Sequence, residues 1–506
     1  MCAAVFDYPA QNLAIHAFKK SLKPFFPAPP GDLHTWPPIQ VDYLTAYLTE
    51  LNCRTVLEEA HYVDRDYIED LSLFYSRSLR NYPNHCRRLH LFSRSLTWSA
   101  WRELLSRART EYQEVCRELS QSYLGFIVVR PLPGRPIGRT VLAPMGPHAK
   151  EGTREFASLR TYCAHVGGLE LEVRGLAFQQ QDQAVSACAT TATWTALQAT
   201  ARREQLVMRT PAEITLAASR YLLTNGRTLP SEGLAIQQIC EAVRDAGLAP
   251  VLLRATSLDV DRRALDTFLR SGFPAVLAVL PTDDESSDEG HAICAVGAKT
   301  GDVVSEPNNK LEYRDGATAL KAIYVHDDRL GPYASAVLAP HTAAGCKAPQ
   351  TSFLIKWPGS AEDSESWRLF GIVVPVPNKV RLPVTRLREM GHVIGQGIGA
   401  ALPGLRRTTT VRFRYCTAVS YVKEVFGSAL SDSGLEQLTA RTALSRYIAI
   451  VEVSGLDAPL IDVVLDCTEA VERPSVLAVV NRSELPAAGI GLLKDLANAL
   501  AGPFIQ

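Results

Sequence analysis

The stretch QQQDQAVSACATTATW, residues 179–194, decides how the centre of this 506-residue chain is interpreted. It brings a single cysteine, Cys188, to the start of an alanine- and threonine-rich segment that we predict to be a helix. The N-terminus of a helix stabilises a thiolate, and so does a neighbouring imidazolium. Ser186 is a residue type that caps helices, and we expect it to cap this one. Taken alone, Cys188 fits a buried structural cysteine equally well.

The stretch GHAICAV, residues 290–296, supplies a histidine at the start of an apolar predicted strand. Gly290 allows the chain to turn so that the imidazole of His291 faces across a cleft. A lone histidine in such a place is often only a packed side chain. However, a cysteine on a helix followed by a histidine on a strand is the order expected of a nucleophile and its general base. We therefore treat Cys188 and His291 as one candidate pair.

A third stretch, YVHDDRLGP at residues 324–332, offers a group that can orient the imidazole. An aspartate at the end of a strand can accept a hydrogen bond from a histidine on the neighbouring strand and so fix its tautomer. We expect Asp327 to do this, with Asp328 as the alternative. Aspartate shortly before Gly-Pro is also common in turns, which is the plainer interpretation.

Attack on an amide also requires a donor aimed at the oxygen that becomes negative. A glutamine side-chain amide ahead of Cys188 can supply it, together with the backbone N–H of the cysteine. Four glutamines are available, namely Gln179, Gln180, Gln181 and Gln183. We expect Gln181 to be this donor, although the spacing alone does not separate it from the other three.

Hydrophobic periodicity divides the chain into an N-terminal α+β region at 1–174, a central domain at 175–345 and a C-terminal α+β region at 346–506. In the centre, predicted helices precede predicted strands, which is typical of an α+β arrangement. The central helices are predicted after Cys188 and over 211–223, 236–245 and 257–270, and the strands over 275–280, 292–296 and 322–325. Elsewhere we predict helices over 64–80, 96–119, 384–394 and 490–500, and strands over 123–130, 157–164, 169–173, 353–357, 370–375, 447–453, 460–465 and 475–480.

The central domain resembles the papain-like cysteine peptidases, most closely the branch that includes the bacteriocin-leader peptidases. The resemblance covers residues 175–340 and is carried by four segments, namely 176–192, 268–276, 290–291 and 325–327. It implies a papain-like fold with a helical half and an antiparallel-sheet half. It also implies a Cys-His-Asp triad of Cys188, His291 and Asp327, a glutamine as oxyanion donor, and neither a metal nor an organic cofactor.

The amino-acid composition limits which binding partners and which cellular compartment we expect. Lysine plus arginine and aspartate plus glutamate both number 53, so the net charge favours neither nucleic acid nor an anionic membrane as partner. No apolar run approaches the roughly 20 residues of a membrane-spanning helix, and the start of the chain lacks the pattern of a secretory signal. We therefore expect a cytoplasmic protein whose 11 cysteines are mostly reduced.

Other clusters of polar residues have plainer explanations. Cys163 with His165, and Cys86 with His85 and His90, lack the second pair that a zinc site requires. The arginines at 130, 135 and 139 are suited to holding a phosphate or to forming an ordinary turn between strands. The acidic run at 283–289 fits a solvated hairpin tip or a flap over the cleft.

The residues and the resemblance together lead us to expect a cysteine peptidase that hydrolyses a peptide bond in a protein or peptide substrate. Transglutaminase- or deamidase-type acyl transfer uses the same triad, and a papain-like domain that only binds a partner is the non-enzymatic alternative. The flanking regions exceed the needs of a minimal peptidase. We expect them to hold the substrate or an activating protein partner.

Overall fold

The computed structural model describes residues 3–6, 11–26, 37–149, 152–221, 228–282, 290–304, 311–342, 349–356, 364–401, 408–427, 444–455, 458–469 and 476–482. These residues form three larger sheets and one two-stranded sheet, with helices packed beside them. Almost all strand pairs are antiparallel, so the predicted α+β class is confirmed. The predicted helix at 490–500 and the acidic run at 283–289 lie outside the described residues.

The N-terminal region is built on a five-stranded antiparallel sheet in sequence order. Its strands are β1 (Ala3–Phe6), β2 (Thr55–Tyr62), β3 (Cys86–Phe92), β4 (Tyr123–Val129) and β5 (Ile137–Leu142). Its helices are α1 (Gln11–Leu22), α2 (Ile39–Glu50), α3 (Arg65–Leu73), α4 (Trp98–Arg107) and α5 (Tyr112–Ser122). The single helix predicted over 96–119 is therefore wrong. The chain turns between α4 and α5, and this turn lets Trp101 and Val115 join the same hydrophobic cluster.

A hairpin follows the N-terminal sheet and leads to the centre of the chain. Its strands, β7 (Arg160–Val166) and β8 (Leu169–Gly175), alternate between buried and exposed side chains, as a strand with one covered face must. The short β6 (Thr153–Glu155) pairs instead with the central sheet.

The central sheet closes into an antiparallel barrel because β10 pairs with both β11 and β16. The order around the barrel is β10-β11-β13-β14-β15-β16. These strands are β10 (Ala275–Pro281), β11 (His291–Thr300), β13 (Leu320–Asp327), β14 (Gly331–His341), β15 (Gln350–Lys356) and β16 (Ser364–Val376). A further strand, β9 (Ala249–Arg254), pairs with the end of β16. The sheet thus runs to Val376, and the domain boundary expected at residue 345 would cut it between β14 and β15.

Four helices form the other half of the centre; α6, α8 and α9 pack against the barrel, and α7 packs on α6 and α8. They are α6 (Cys188–Arg203), α7 (Pro211–Ala218), α8 (Ile236–Asp245) and α9 (Leu258–Arg270). A helix is found at each predicted place in this part of the chain, and α8 has the predicted bounds, whereas α7 ends at Ala218 and not at the predicted residue 223. Helix α6 lies against β10, β11 and β16, and the residues that open α6 and β11, Cys188 and His291, line the same cavity.

The C-terminal sheet has the order β12-β17-β18-β19-β20, in which only the β12–β17 pair is parallel. Its elements are β12 (Arg314–Asp315), α10 (Val384–Ala401), β17 (Thr410–Thr417), α11 (Ala418–Phe426), β18 (Tyr447–Ser454), β19 (Pro459–Asp466) and β20 (Val476–Asn481). One hydrophobic cluster runs from Phe18 on α1 through the barrel to Val463 on β19, so the three regions share a core. Within the described ranges, none of the helices combines the length and apolarity needed to cross a membrane.

Candidate active site

Cys188 is the first residue of α6 and its thiol is half-buried. The N-cap of this helix is Ala187, and no side chain caps it. The expected cap by Ser186 is wrong because Ser186 lies one residue too early, and its buried hydroxyl has no hydrogen-bond partner among the described residues. The first intrahelical bond runs from the N–H of Thr191 to the carbonyl of Ala187, at 3.0 Å. The N–H groups of the first turn, including that of Cys188, are therefore not satisfied by the helix itself.

His291 and Asp327 meet because they stand at the same end of two neighbouring barrel strands. His291 opens β11 and Asp327 closes β13, and these strands are antiparallel. The Nε2 of His291 lies 3.0 Å from Oδ1 of Asp327. The backbone N–H of Arg329 donates to the same oxygen, also at 3.0 Å, and so helps to hold the carboxylate. Exposure is 7% for His291 and 1% for Asp327, which places the pair in a largely dry environment.

The surroundings of His291 favour its protonated form. Burial lowers the pKa of His291, but Asp327, the side chain of Cys188 and Asp328 outweigh it and raise this pKa well above the ordinary 6.5. Because Nε2 faces the two carboxylates, Nδ1 is the ring nitrogen left for the Cys188 thiol. The cleft therefore combines a thiol, an imidazole and a carboxylate in one chain of interactions.

Asp328 is a second buried carboxylate beside the same ring. Its Oδ1 lies 3.7 Å from Nε2 of His291, beyond hydrogen-bond distance. Neither oxygen of its carboxylate has a hydrogen-bond partner among the described residues. Burial, reinforced by Asp327, raises the pKa of Asp328 to about 6 against the attraction of His291. Of the two aspartates, Asp327 is thus the one that orients the imidazole.

A tryptophan that the sequence analysis missed covers the histidine. The rings of Trp367 on β16 and His291 have centroids 5.5 Å apart. The indole N–H donates to Glu365 at 3.0 Å, and Glu365 also pairs with Arg329 at 2.6 Å. The guanidinium of Arg329 lies 5.3 Å from the centre of the Trp367 ring. The only hint in the sequence was a single tryptophan between charged residues. Trp367 comes close to His291 because barrel closure pairs β16 with β10, which in turn pairs with β11.

The glutamine-rich approach to Cys188 is docked onto β5. Phe178 and Thr140 exchange two backbone hydrogen bonds of 2.8 and 2.7 Å, and the N–H of Gln180 donates to the carbonyl of Ile137 at 3.0 Å. The side-chain oxygen of Gln180 accepts the N–H of Ile137 at 3.3 Å. Arg130 is buried and donates through Nη2 to the carbonyl of Gln180 at 2.8 Å. The segment ahead of the nucleophile is therefore held by the N-terminal sheet.

Asp182 shapes the turn between this docked segment and Cys188. Its Oδ1 accepts the N–H groups of Ala184, Val185 and Ser186 at 2.7, 2.7 and 3.0 Å. The N–H of Asp182 donates to the carbonyl of Ser186 at 2.9 Å. One carboxylate thus fixes the backbone that leads into α6.

The four candidate glutamines differ in position. Gln179 and Gln180 are buried, whereas Gln183 is exposed. Gln181, the expected oxyanion donor, lines a separate cavity of about 180 Å³ together with Arg135 and Arg329. None of the four is among the described residues that line the cavity containing Cys188 and His291. The backbone N–H groups at the start of α6, which no side chain caps, are also available as donors beside the nucleophile.

That larger cavity, of about 920 Å³, has Cys188 and His291 in its wall. Its lining is mostly apolar and includes Leu234, Ile236, Leu252, Leu280 and Phe370. The side chains of Leu252 and Phe370 are about half exposed, at 52% and 51%. Its only other charged lining residues within the described ranges are Glu232 and Arg254. The cavity has the size and the apolar lining of a binding site for a small organic group or a peptide segment.

Two of the three arginines considered as a phosphate site, Arg130 and Arg139, bind groups inside the fold. Arg139 lies 2.7 Å from Asp66, and Arg130 donates to three backbone carbonyls. Within the described ranges, potential metal ligands come together in two groups of three. One is His291, Asp327 and Asp328, and the other is Cys163, Glu170 and Glu172.

Comparison of the chain with protein-family models and with curated proteins gives no match. The interpretation of the cleft therefore rests on its geometry.

Proposed function

We propose that this protein is a cysteine peptidase whose central domain is papain-like, with Cys188 as nucleophile, His291 as general base and acid, and Asp327 as the residue that orients His291. The observation that carries the proposal is the buried 3.0 Å contact between His291 and Asp327 beside a thiol at a helix N-terminus. A helical half and an antiparallel barrel, with the cavity between them, are the arrangement that the resemblance implies.

The chemistry follows from the protonation of the ring. In the proposed mechanism Nδ1 of His291 accepts the proton of the Cys188 thiol, and the sulfur attacks the carbonyl carbon of the scissile amide. His291 then gives that proton to the leaving amine, and the C–N bond breaks to leave a thioester on Cys188. A water molecule, deprotonated by His291, attacks the thioester. The acid product leaves and the thiol is restored.

Two features of the cleft support these steps. The N–H groups at the start of α6 point to where negative charge develops on the attacked oxygen, and the helix dipole has the sign that stabilises it. Trp367 packs beside the ring of His291, and His291 and Asp327 are both buried. A water-poor contact keeps the carboxylate effective in stabilising the imidazolium.

The N-terminal region takes part in this proposal because it holds the segment ahead of Cys188. The barrel likewise continues through β15 and β16, which lie beyond residue 345. We therefore propose that the flanking regions complete the cleft. A fragment of residues 175–345 is expected to lack the activity of the full chain.

Selective alkylation of Cys188 tests the proposed ion pair, and the chain provides an internal control. Cys163 is an exposed thiol, whereas Cys188 is half-buried. Burial and Glu170 raise the pKa of Cys163, so its thiolate is scarce at neutral pH. With iodoacetamide at pH 7, we expect Cys188 to react at least about tenfold faster than Cys163, measured by peptide mapping over time. His291→Ala should remove this advantage, and equal or slower reaction of Cys188 in the unmodified protein would overturn the proposal.

A second measurement separates the reaction types that share the triad. The full chain and its Cys188→Ala variant are incubated with a defined peptide library and a primary amine, and the products are identified by mass spectrometry. New peptide termini that require Cys188 support hydrolysis. Amine incorporation or conversion of glutamine to glutamate without cleavage would indicate acyl transfer or deamidation instead. Products that persist in Cys188→Ala, or rapid alkylation of Cys188 without any product, would favour a binding protein.

A further inference from the structure

The carboxylate of Asp328 has no role in the proposed hydrolysis. It is 3% exposed, and both of its oxygens lack a hydrogen-bond partner among the described residues. A buried carboxylate without a partner costs free energy, so a bound group that satisfies it would stabilise the fold. The charged groups that act on it are His291, Asp327 and Arg135, and its Oδ1 lies 3.7 Å from Nε2 of His291.

We propose that His291, Asp327 and Asp328 form a binding site for a divalent cation, with Zn²⁺ as the best-fitting ion, and that its occupancy switches the peptidase off. One ligand atom from each of the three residues lies within 4.8 Å of the others. One imidazole nitrogen with two carboxylate oxygens is a ligand set that suits Zn²⁺. The regulatory part rests on the proposed function, whereas the binding itself does not.

The distances fit a shared ion. Ligand atoms that are each about 2.0–2.2 Å from one zinc ion lie roughly 3–3.5 Å apart. Nε2 of His291 and Oδ1 of Asp327 are 3.0 Å apart, and the 3.7 Å to Asp328 closes by a small movement of that side chain. Two carboxylates and a neutral imidazole carry two negative charges, which a divalent cation balances. The fourth position of a tetrahedral ion is left for water.

The surroundings hold one of the three ligands in place. The backbone N–H of Arg329 donates to Oδ1 of Asp327 and so fixes that ligand from behind. Arg329 and Leu330, which directly follow Asp328, line the cavity of about 180 Å³ on this side of the barrel. Asp328 itself is not among the described residues that line this cavity, whereas Arg135 is.

Binding on this side of the ring explains how catalysis would stop. Zinc on Nε2 displaces the proton that His291 shares with Asp327, and this proton is released to solvent. The remaining ring proton must then be on Nδ1, the nitrogen that faces Cys188. A ring in this state cannot accept the thiol proton, so the thiolate–imidazolium pair is not formed. The inhibition is reversible, since removing the ion restores the ring.

The site is tested by metal binding in the full chain, with Zn²⁺ and Co²⁺ as the probes. The Cys163→Ser background removes the thiol of the exposed second group of ligands. Equilibrium dialysis should find one zinc ion per chain. Asp328→Asn should weaken binding at least tenfold, and His291→Ala, with its fold checked by circular dichroism, should do the same. Cys188→Ala should bind zinc within about threefold of the background, because the thiol lies on the other side of the ring.

Several outcomes would overturn the site. These are no stoichiometric binding, binding that survives Asp328→Asn, or binding that is lost in Cys188→Ala. A sulfur-to-cobalt charge-transfer band would likewise assign the ion to a thiol. Each variant's hydrolysis with zinc is compared with its own metal-free rate, and undiminished hydrolysis at saturating zinc would overturn the switch. If zinc binds but Cys188 is not alkylated rapidly, the metal site is supported and the proposed peptidase is not. If Cys188 is alkylated rapidly but zinc does not bind, the peptidase is supported and the metal site is not.

Discussion

The two walls of the cleft are held in different ways. On the barrel wall, His291 and Asp327 come from strands that pair directly, so their contact is a consequence of strand register. On the helical wall, Thr195 on α6 and Thr215 on α7 donate to backbone carbonyls of the segment ahead of Cys188, at 3.2 and 2.7 Å. The same segment is also docked onto β5, which belongs to the N-terminal sheet.

This difference indicates how substitutions in each wall should affect folding and catalysis. The barrel wall depends on a few side chains within one sheet, and a change there should alter chemistry more than folding. The helical wall depends on polar groups contributed by a separate sheet, and several of them are buried. A change there should alter folding and chemistry together, because the backbone before Cys188 loses its support.

The largest effect is expected on the barrel wall, from Asp327→Asn. Burial lowers the pKa of His291 and the Asp327 carboxylate outweighs it, so an amide at this position should let the pKa fall. We expect kcat/KM to drop by about a hundredfold to ten-thousandfold, as when the orienting aspartate of a triad is neutralised. The imidazolium should also be lost at lower pH, so the alkaline limb of the pH profile should move to lower pH.

The matched control for this change is Asp266→Asn. Asp266 is equally buried, on α9 outside the cleft, and burial raises its pKa to about 6. Its replacement should leave kcat/KM within about twofold, since surface and remote changes seldom reach the reacting groups. Equal losses in the two variants would mean that Asp327 acts through stability alone.

A smaller effect is expected on the helical wall, from Arg130→Lys. Arg130 is 2% exposed, and its Nη2 serves the carbonyls of Arg135, Ile137 and Gln180. Lysine keeps the charge but cannot reproduce the fork of donors. We expect a loss of about 2–4 kcal/mol in the free energy of unfolding, measured by urea denaturation. We also expect kcat to fall by roughly tenfold, because the backbone before Cys188 becomes less ordered.

The exposed Arg102 on α4 provides the control, and Arg102→Lys should change neither quantity measurably. If Arg130→Lys destabilises the protein but the folded fraction retains full kcat, the docking to β5 serves stability and the distinction between the two walls is weaker than we infer.

The same contrast explains how much could be predicted from sequence. On the barrel wall, the residue type and the order of elements were enough to expect His291 and Asp327 at one end of neighbouring strands. Helix α8 was predicted with its observed bounds because apolar positions repeat clearly from Ile236 to Asp245. Such signals are local, because all the residues that produce them lie within one helix or strand.

The helical wall and the barrel closure could not be predicted, because they depend on distant segments. Arg130 meets Gln180 fifty positions away, and nothing in either stretch indicates the other. Strand β14 was missed because it opens with Gly331-Pro332, which was interpreted as a turn. Proline is tolerated at such a strand start, and here its carbonyl accepts the hydroxyl of Tyr43 at 2.7 Å. Without β14, the sheet could not be followed past residue 345.

The smallest effect on catalysis is expected from replacing a buried carboxylate, that of Asp70, which lies near Arg130 and Asp182 behind the helical wall. Asp70 on α3 is 1% exposed, and neither of its oxygens has a hydrogen-bond partner among the described residues. Burial and the nearby Asp182 raise its pKa well above the ordinary value, while Arg130 opposes this. The folded state therefore holds a proton on Asp70 that the unfolded state releases near pH 4. Stability is lost as pH rises from there to the folded-state pKa.

Asp70→Asn removes this penalty and keeps the shape of the side chain. We expect the variant to be more stable than the unmodified protein by about 1–3 kcal/mol at pH 8, with the difference vanishing below pH 4. Urea unfolding at several pH values measures it, and kcat should stay within about twofold. A difference that does not depend on pH would mean that Asp70 keeps the same charge in both states. Arg130 would then offset the burial of the Asp70 carboxylate, and the charges behind the helical wall would be as well balanced as those of the barrel wall.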